Sequence, residues 1–219
     1  MSINNSQSTS TPPSGAGGLV IINYGAGNIQ SIMFAIERLG YKAVLSNNPD
    51  EIKAADKVIF PGVGEASYAM KMLKESGLDT LIPILKQPVL GICLGMQLMC
   101  NKSEEGNTTG LGIFDVDVIK FSPKVKVPQM GWNTIYNLKS DLFKGIAENE
   151  YMYLVHSFYA PLCAETIATT NYEVEYASAL ENENFFGTQF HPEKSGDIGE
   201  QILANFLKLN DWKIQRLKN

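Results

Sequence analysis

Short apolar runs that alternate with segments of helical periodicity are the feature that most constrains the fold of this chain. Four apolar runs occur in the N-terminal half: LVIIN (19–23), AVLS (43–46), KVIF (57–60) and VLGI (89–92). Short apolar runs bounded by turn residues are typical of strands that are buried on both faces. Strands that alternate with helices form parallel sheets covered by helices, so the pattern predicts an α/β fold with a mostly parallel central sheet and helices on both faces.

Apolar residues recur at helical spacing in several segments that follow these runs. The first such segment ends at Gly40, a residue that commonly stops helices. The predicted helices cover residues 29–39, 65–76, 94–100 and 195–209.

The C-terminal half has a different pattern, in which apolar and polar residues alternate and turn residues separate the runs. This alternation predicts antiparallel strands, which add to the parallel sheet of the first half. The segments concerned are 112–121, 150–160, 165–172 and the two strands on either side of ENEN (181–184).

Length and composition favour one globular domain. The chain has 219 residues, of which 44% are hydrophobic, and this is enough to bury a sizeable core. We therefore expect a single domain over residues 19–219. Residues 1–18, MSINNSQSTSTPPSGAGG, carry almost no apolar side chains, so we expect them to form a disordered leader.

Charge, hydropathy and cysteine content argue against several classes of partner and compartment. The formal net charge is −5 and there is no run of Lys or Arg, which disfavours nucleic acid and anionic membranes as partners. No apolar stretch approaches the roughly 20 residues needed to span a bilayer. The three cysteines, Cys93, Cys100 and Cys163, are too few for a disulfide framework. We therefore expect a reduced, cytoplasmic compartment.

The strand-to-helix junction Gly91-Ile92-Cys93-Leu94-Gly95 is the most informative segment. It matches the elbow pattern, in which a nucleophile stands on a sharp turn between two small residues. A side chain in place of either glycine would collide with the neighbouring strand or helix. The turn would lift the Cys93 sulfur above the sheet edge, where the N-terminus of the following helix favours a thiolate. The alternative is that Cys93 is a small apolar core residue, as most free cysteines are.

His191, in the segment TQFHPEKSG, is the predicted general base. In extended chain the side chains of His191 and Glu193 project to the same side, so Glu193 can hold one ring nitrogen while the other faces Cys93. A cysteine, a histidine and a carboxylate in these roles form an activated nucleophile. His156 is the rival base, but no carboxylate lies two residues from it, and we expect a structural histidine there.

Pro61-Gly62-Val63-Gly64 follows a predicted parallel strand, at the edge where such sheets bind ligands. Its glycines allow a backbone amide to change direction at little cost. The segment is therefore a candidate to supply a second N–H donor, beside that of Leu94, for an oxyanion hole. The alternative is a plain strand-to-helix turn.

Three further patterns carry less weight. Gly25-Ala26-Gly27 begins like a dinucleotide fingerprint, but Gln30 stands where the third glycine belongs, so we expect no nucleotide or other cofactor. No set of His, Cys or carboxylate residues has metal-ligand spacing, so we expect no metal site. Trp132 is expected in a loop, either as core filler or as an interface anchor.

Five segments together resemble the class I glutamine amidotransferases, from about Leu19 to Leu209. They are PGVG (61–64), GICLGMQ (91–97), GWN (131–133), VHSFY (155–159) and HPEKSG (191–196). More narrowly, NYGAGN (23–28), PGVG, GWN and HPEKSG are similar to segments of members that act as glutaminase subunits beside a (β/α)8-barrel cyclase in histidine biosynthesis.

The resemblance implies that Cys93 attacks the side-chain amide of glutamine, that His191 moves the protons and that Glu193 holds His191. Ammonia would then pass to a (β/α)8-barrel cyclase subunit, the heterodimer partner. The other implied roles are an oxyanion hole from the amides of Val63 and Leu94, substrate binding by Gly62, Gln97 and the backbone near Ser157, and a partner interface at Trp132, Tyr153 and Lys194.

Alternatives to this interpretation stay open at the level of sequence. The chain could be the glutaminase subunit of another amidotransferase, such as the anthranilate or GMP synthase type. It could also be a non-catalytic interaction module with an inert Cys93, or a cysteine hydrolase that needs no partner. The family often has His where Gln129 stands, so the role of that position is open.

Overall fold

The structure is a computed structural model that describes residues 18–25 and 27–209. The predicted leader, apart from Gly18, lies outside the described residues, and so does the C-terminal segment 210–219.

The described residues form thirteen strands and six α-helices. The strands are β1 (Leu19–Ile22), β2 (Ala43–Ser46), β3 (Lys57–Phe60), β4 (Val89–Ile92), β5 (Cys100–Ser103), β6 (Thr108–Thr109), β7 (Phe114–Lys120), β8 (Gln129–Ile135), β9 (Glu150–His156), β10 (Phe158–Pro161), β11 (Thr166–Tyr172), β12 (Val174–Asn182) and β13 (Phe185–Thr188). The helices are α1 (Ile29–Arg38), α2 (Pro49–Ala54), α3 (Ala66–Glu75), α4 (Leu78–Leu81), α5 (Leu94–Met99) and α6 (Gly196–Lys208).

The predicted fold class is confirmed by the order of the strands in the main sheet. Five parallel strands run in the order β2-β1-β3-β4-β13, and the antiparallel strands of the C-terminal half continue from β12. Successive residues of the parallel strands point to opposite faces. As a result, α1 and α6 cover one face with one apolar cluster, and α2 to α5 contribute to a second cluster on the other.

The segment 150–160, predicted as one strand, is divided at Ser157. Its first part, β9, pairs with β8 in a separate two-stranded sheet, while its second part, β10, joins the main sheet. The prediction of a loop around Trp132 is wrong, because Trp132 lies within β8 and pairs with Tyr153 of β9. Helix α5 also ends one residue early, since Cys100 begins β5.

Close packing explains the glycines of the elbow segment. A Cβ atom on Gly95 would lie 2.1 Å from the Phe60 carbonyl oxygen, and one on Gly91 would lie 2.8 Å from the Met96 backbone nitrogen. A Cβ atom on Gly62 would lie 2.4 Å from the Gly95 nitrogen. These contacts press the end of β3 against the start of α5, so the Pro61–Gly64 segment and the elbow lie side by side.

Gly95→Ala should therefore destabilise the fold by about 3 kcal/mol, because the new methyl group meets backbone atoms that cannot move aside. Gly145→Ala is the matched control: it has a φ of +77° and no atom within 4 Å of an added Cβ. Its cost is about 1 kcal/mol, from the left-handed backbone alone. Urea unfolding of both variants measures the difference, and equal destabilisation would contradict the packing argument.

Candidate active site

The pairing of β4 with β13 brings the predicted nucleophile and base to the same edge of the sheet. The two strands are parallel neighbours with Ile92 opposite Thr188, and the Cys93 amide continues the ladder by donating to the Thr188 carbonyl at 2.7 Å. Cys93 thus follows the end of one strand, and His191 lies three residues beyond the end of the other. Two residues 98 positions apart in sequence become neighbours.

Cys93 occupies a backbone conformation that residues other than glycine seldom adopt. Its φ is 53° and its ψ is −109°, directly before the first residue of α5. Such conformations cost on the order of 1–3 kcal/mol and persist only where the surroundings hold them. Here the ladder bond to Thr188 and the glycine contacts of α5 hold the turn.

His191 and Glu193 form a buried pair. The imidazole Nδ1 lies 2.9 Å from Glu193 Oε1, and both side chains are almost fully shielded from solvent. The expected reason for this contact, an extended chain, is wrong. Glu193 lies in a 3-10 turn, Pro192–Lys194, that begins directly after His191. The turn folds the carboxylate back onto the ring, which leaves Nε2 as the nitrogen available to Cys93.

The pKa of His191 is set by opposing influences. Burial lowers it, but the negative charge of Cys93, the nearness of that sulfur and the contact with Glu193 together raise the pKa of His191 to about 10. Among the residues that the structure describes, His191 Nε2 has no partner of ordinary hydrogen-bond geometry. A loose contact of this kind is usual for a nucleophile and base before substrate binds. The arrangement favours the imidazolium form of His191.

Two buried glutamines complete the surroundings of the sulfur. Gln189 Nε2 lies 3.6 Å from Cys93 Sγ, and its Oε1 accepts a hydrogen bond of 2.8 Å from Gln97 Nε2. Gln97 Nε2 also donates to the Phe158 carbonyl at 2.8 Å. Sequence reasoning singled out Gln97 but missed Gln189, whose only signal was its position two residues before His191.

The predicted oxyanion-hole residues lie beside Cys93. Gly62 packs against the backbone of Leu94 and Gly95, which puts the neighbouring Val63 next to the start of α5. Leu94 is the first residue of α5, and N–H groups in the first turn of a helix have no partner within the helix. Gly64 has a φ of +101°, so this segment turns where only glycine is comfortable.

The backbone just before Ser157 also approaches the thiol. The Val155 carbonyl lies 3.9 Å from Cys93 Sγ, and Ser157 follows at the break between β9 and β10. The Ser157 carbonyl accepts from the Phe121 amide at 3.1 Å.

The three predicted interface residues are brought together on the surface next to His191. The Trp132 and Tyr153 rings are 6.0 Å apart, and Lys194 Nζ lies 5.9 Å from the centre of the Tyr153 ring. The Tyr153 carbonyl accepts from the His191 amide at 2.9 Å. This surface is therefore attached directly to the proposed base.

His156 is a buried structural residue, as the sequence suggested. Its Nδ1 donates to the Phe158 carbonyl at 2.8 Å. The Tyr176 hydroxyl lies 3.2 Å from His156 Nε2 and 2.9 Å from Gln129 Oε1, so it links the two side chains. Burial lowers the pKa of His156 to about 4. The ring is therefore neutral at physiological pH, and Gln129 belongs to this buried polar network.

Two searches of the described residues bear on other kinds of site. No helix in residues 18–25 and 27–209 is long and apolar enough to cross a membrane. Within the same ranges, no group of three or more His, Cys, Asp or Glu side chains is arranged to hold a metal ion.

Known proteins match the amino-acid sequence of this chain over nearly all of the residues that the structure describes. The model of the family Glutamine amidotransferase class-I matches residues 20–209. The imidazole glycerol phosphate synthase subunit HisH of Bacteroides fragilis is 58% identical over 194 residues, covering 87% of this chain and 99% of that protein. The protein of the same name from Yersinia pseudotuberculosis is 46% identical over 194 residues, with the same coverage of both chains.

Solved structures with low sequence identity show the same fold. A glutamine amidotransferase superposes with a TM-score of 0.70 at 17% identity, covering 88% of this chain and 98% of that one. PurLQS from Thermotoga maritima gives a TM-score of 0.65 at 16% identity, covering 86% of this chain and 96% of that one.

The lowered pKa of His156 predicts a specific dependence of stability on pH. Between its usual pKa of 6.5 and about 4, the unfolded state binds a proton that the folded state does not, so stability falls as the pH falls through this range. From pH 7 to pH 5 the loss due to this group is about 2 kcal/mol. His156→Gln should remove that part of the pH dependence. Urea unfolding of both proteins at the two pH values measures it, and an identical loss in both would contradict the assignment.

Proposed function

The chain belongs to the class-I glutamine amidotransferase family, and we propose that it is the glutaminase subunit of an imidazole glycerol phosphate synthase. The geometric observation that carries the proposed chemistry is the buried His191 side chain, whose Nδ1 lies 2.9 Å from Glu193 and which the pairing of β4 with β13 brings to the same edge of the sheet as Cys93. Support for the particular enzyme comes from the 58% identity to a HisH subunit over nearly all of that protein.

The proposed reaction begins with attack of the Cys93 thiolate on the carboxamide carbon of glutamine. The resulting oxyanion would be stabilised by the amides of Val63 and Leu94, because the packing of Gly62 against Leu94 and Gly95 brings the two segments together at the elbow. His191 then donates its proton to the departing nitrogen, and ammonia leaves a thioester on Cys93. In the second half His191 takes a proton from water, the hydroxide attacks the thioester, and glutamate is released with regeneration of the thiolate.

Glu193 has an orienting role in this mechanism. Its carboxylate holds the Nδ1 proton of His191, so Nε2 is the nitrogen that exchanges protons with sulfur, substrate and water. A buried carboxylate next to the ring also stabilises the imidazolium that forms after the thiol is deprotonated. In this role Glu193 takes up no proton during the reaction.

Glutamine would bind between the Pro61–Gly64 segment and the break at Ser157. We propose that Gly62 and the backbone near Ser157 line this subsite, because both lie against the elbow. Gln97 contributes through its side-chain oxygen, since its nitrogen already donates to two acceptors inside the protein.

The names of the curated relatives imply a partner subunit, and we propose that this partner is a (β/α)8-barrel cyclase. The outward face of the β8–β9 pair offers an apolar surface next to the site, because Met130, Tyr151 and Trp132 are 64%, 60% and 56% exposed. Large exposed aromatic and Met side chains are typical of interface centres. Ammonia would pass across this surface for imidazole ring formation in histidine biosynthesis, and the complex would act in the cytoplasm.

Cys93→Ala should abolish glutamine hydrolysis while the fold and the partner interaction persist, because glycine contacts and the ladder bond hold the elbow. The complex with the cyclase should still form product when ammonia is supplied in place of glutamine. Glutamate release with glutamine, and product formation with ammonium chloride, are measured on the same preparation. Wild-type glutamate release by this variant would refute the assignment of the nucleophile.

Trp132→Ala should weaken the complex with the cyclase and lower partner-stimulated glutaminase activity, because it removes the largest exposed ring of the proposed interface. A loss of at least 2 kcal/mol, about thirtyfold in Kd, is expected if this is an anchor residue. Tyr68→Ala is the control, because Tyr68 has the same 56% exposure on α3, which packs on the other face of the sheet.

Affinity is measured by calorimetry, alongside the glutaminase activity of the chain alone and with cyclase. Equal effects of the two changes would refute this interface, and equal activity with and without cyclase would favour a hydrolase that needs no partner.

A further inference from the structure

We propose that Gln189 is a catalytic hydrogen-bond donor to the Cys93 sulfur, and that Gln97 and the Phe158 carbonyl determine the direction of this hydrogen bond. The proposal rests on the proposed role of Cys93 as the nucleophile. It assigns a function to a residue outside the triad and the oxyanion hole.

The contact itself lies at the reacting atom. Gln189 Nε2 is 3.6 Å from Cys93 Sγ, within the range of an N–H···S hydrogen bond. The Gln189 side chain is fully buried and Cys93 nearly so, so water does not screen the interaction strongly. A buried amide next to sulfur has opposite effects in its two orientations. The N–H end stabilises a thiolate, whereas the oxygen end favours the protonated thiol.

A backbone carbonyl decides between these orientations. The Phe158 oxygen can only accept hydrogen bonds, so the end of Gln97 that lies 2.8 Å from it must be the NH2 group. The same nitrogen of Gln97 lies 2.8 Å from the Gln189 side chain, which must therefore turn its oxygen towards Gln97. The NH2 group of Gln189 is then left facing Cys93. Reversing either amide would put two acceptors or two donors against each other in a buried space.

The Phe158 carbonyl is itself held in place by a second donor. His156 Nδ1 lies 2.8 Å from the same oxygen, and burial lowers the pKa of His156, so this ring is a neutral donor at that position. The oxygen therefore accepts hydrogen bonds from two directions, which anchors the chain of amides at the end furthest from Cys93.

The other groups that face the sulfur leave a role for this donor. His191 supplies the positive charge. Burial is the main cause that raises the pKa of Tyr24 and the pKa of Tyr176, and the charge of Cys93 adds to both shifts. Both phenols therefore stay neutral. The Val155 carbonyl, 3.9 Å from the sulfur, is an acceptor and favours the thiol. Gln189 opposes that carbonyl and is the donor that remains in place while His191 gives its proton to the substrate.

The test is the pH profile of Cys93 alkylation by iodoacetamide, followed by peptide mass spectrometry so that Cys163 is counted separately. It uses the isolated full chain and needs neither glutamine nor a partner. Gln189→Met removes the donor and should move the midpoint of the profile up by about one pH unit, a tenfold loss of rate below the midpoint. Gln189→Glu, which presents only acceptors, should move it further. Gln201→Glu, an exposed change on α6 with the same charge, should leave it unchanged.

Gln97→Met is a second, independent variant for the same measurement, and it tests the proposal even if the Gln189 variants do not fold. It leaves the sulfur contact in place but frees the Gln189 amide to rotate, so the midpoint should rise by a smaller amount. Midpoints equal to wild type in folded Gln189 or Gln97 variants would overturn the proposal. This outcome is distinct from failure of the proposed function. A chain that shows the shift but never hydrolyses glutamine with its partner would refute the glutaminase and leave the hydrogen bond from Gln189 to the sulfur standing.

Discussion

The parallel pairing of β4 with β13 is the interaction on which the rest of the site depends. Its last hydrogen bond, from the Cys93 amide to the Thr188 carbonyl, fixes the elbow and the approach of His191 together. A slip of one residue in this register would turn every side chain of β13 to the other face of the sheet. The apolar clusters on both faces prevent such a slip, so the core and the site are held by the same register.

Beside this pairing, two buried glutamine side chains are held by hydrogen bonds whose direction is determined. Each amide in the series from Phe158 through Gln97 to Gln189 has one orientation that avoids an unpaired donor or acceptor. Unsatisfied buried groups cost about 1–3 kcal/mol each, which makes the alternatives rare. The polarity near Cys93 is thus set by a carbonyl that does not touch it.

The break at Ser157 divides one stretch of chain between two tasks. Before it, β9 carries Tyr153 on the surface and bonds the His191 amide from behind. After it, β10 joins the main sheet and presents the carbonyl that anchors the glutamine side chains. A partner that binds the β8–β9 surface would therefore act on backbone that is one hydrogen bond away from the base, which gives a short physical route between partner binding and chemistry.

Local pattern determined the fold class, the first four strands and the elbow around Cys93, and it predicted His191 rather than His156 as the base, because periodicity, glycine spacing and neighbouring carboxylates are all visible along the chain. Tertiary structure decided what local pattern cannot encode. It placed Trp132 in a strand, folded Glu193 back through a 3-10 turn and brought Gln189 to the sulfur. The physical reason is that strand neighbours and buried hydrogen bonds are chosen by contacts between residues far apart in sequence. Residue type shows that a side chain can donate a hydrogen bond, but only packing decides which atom receives it.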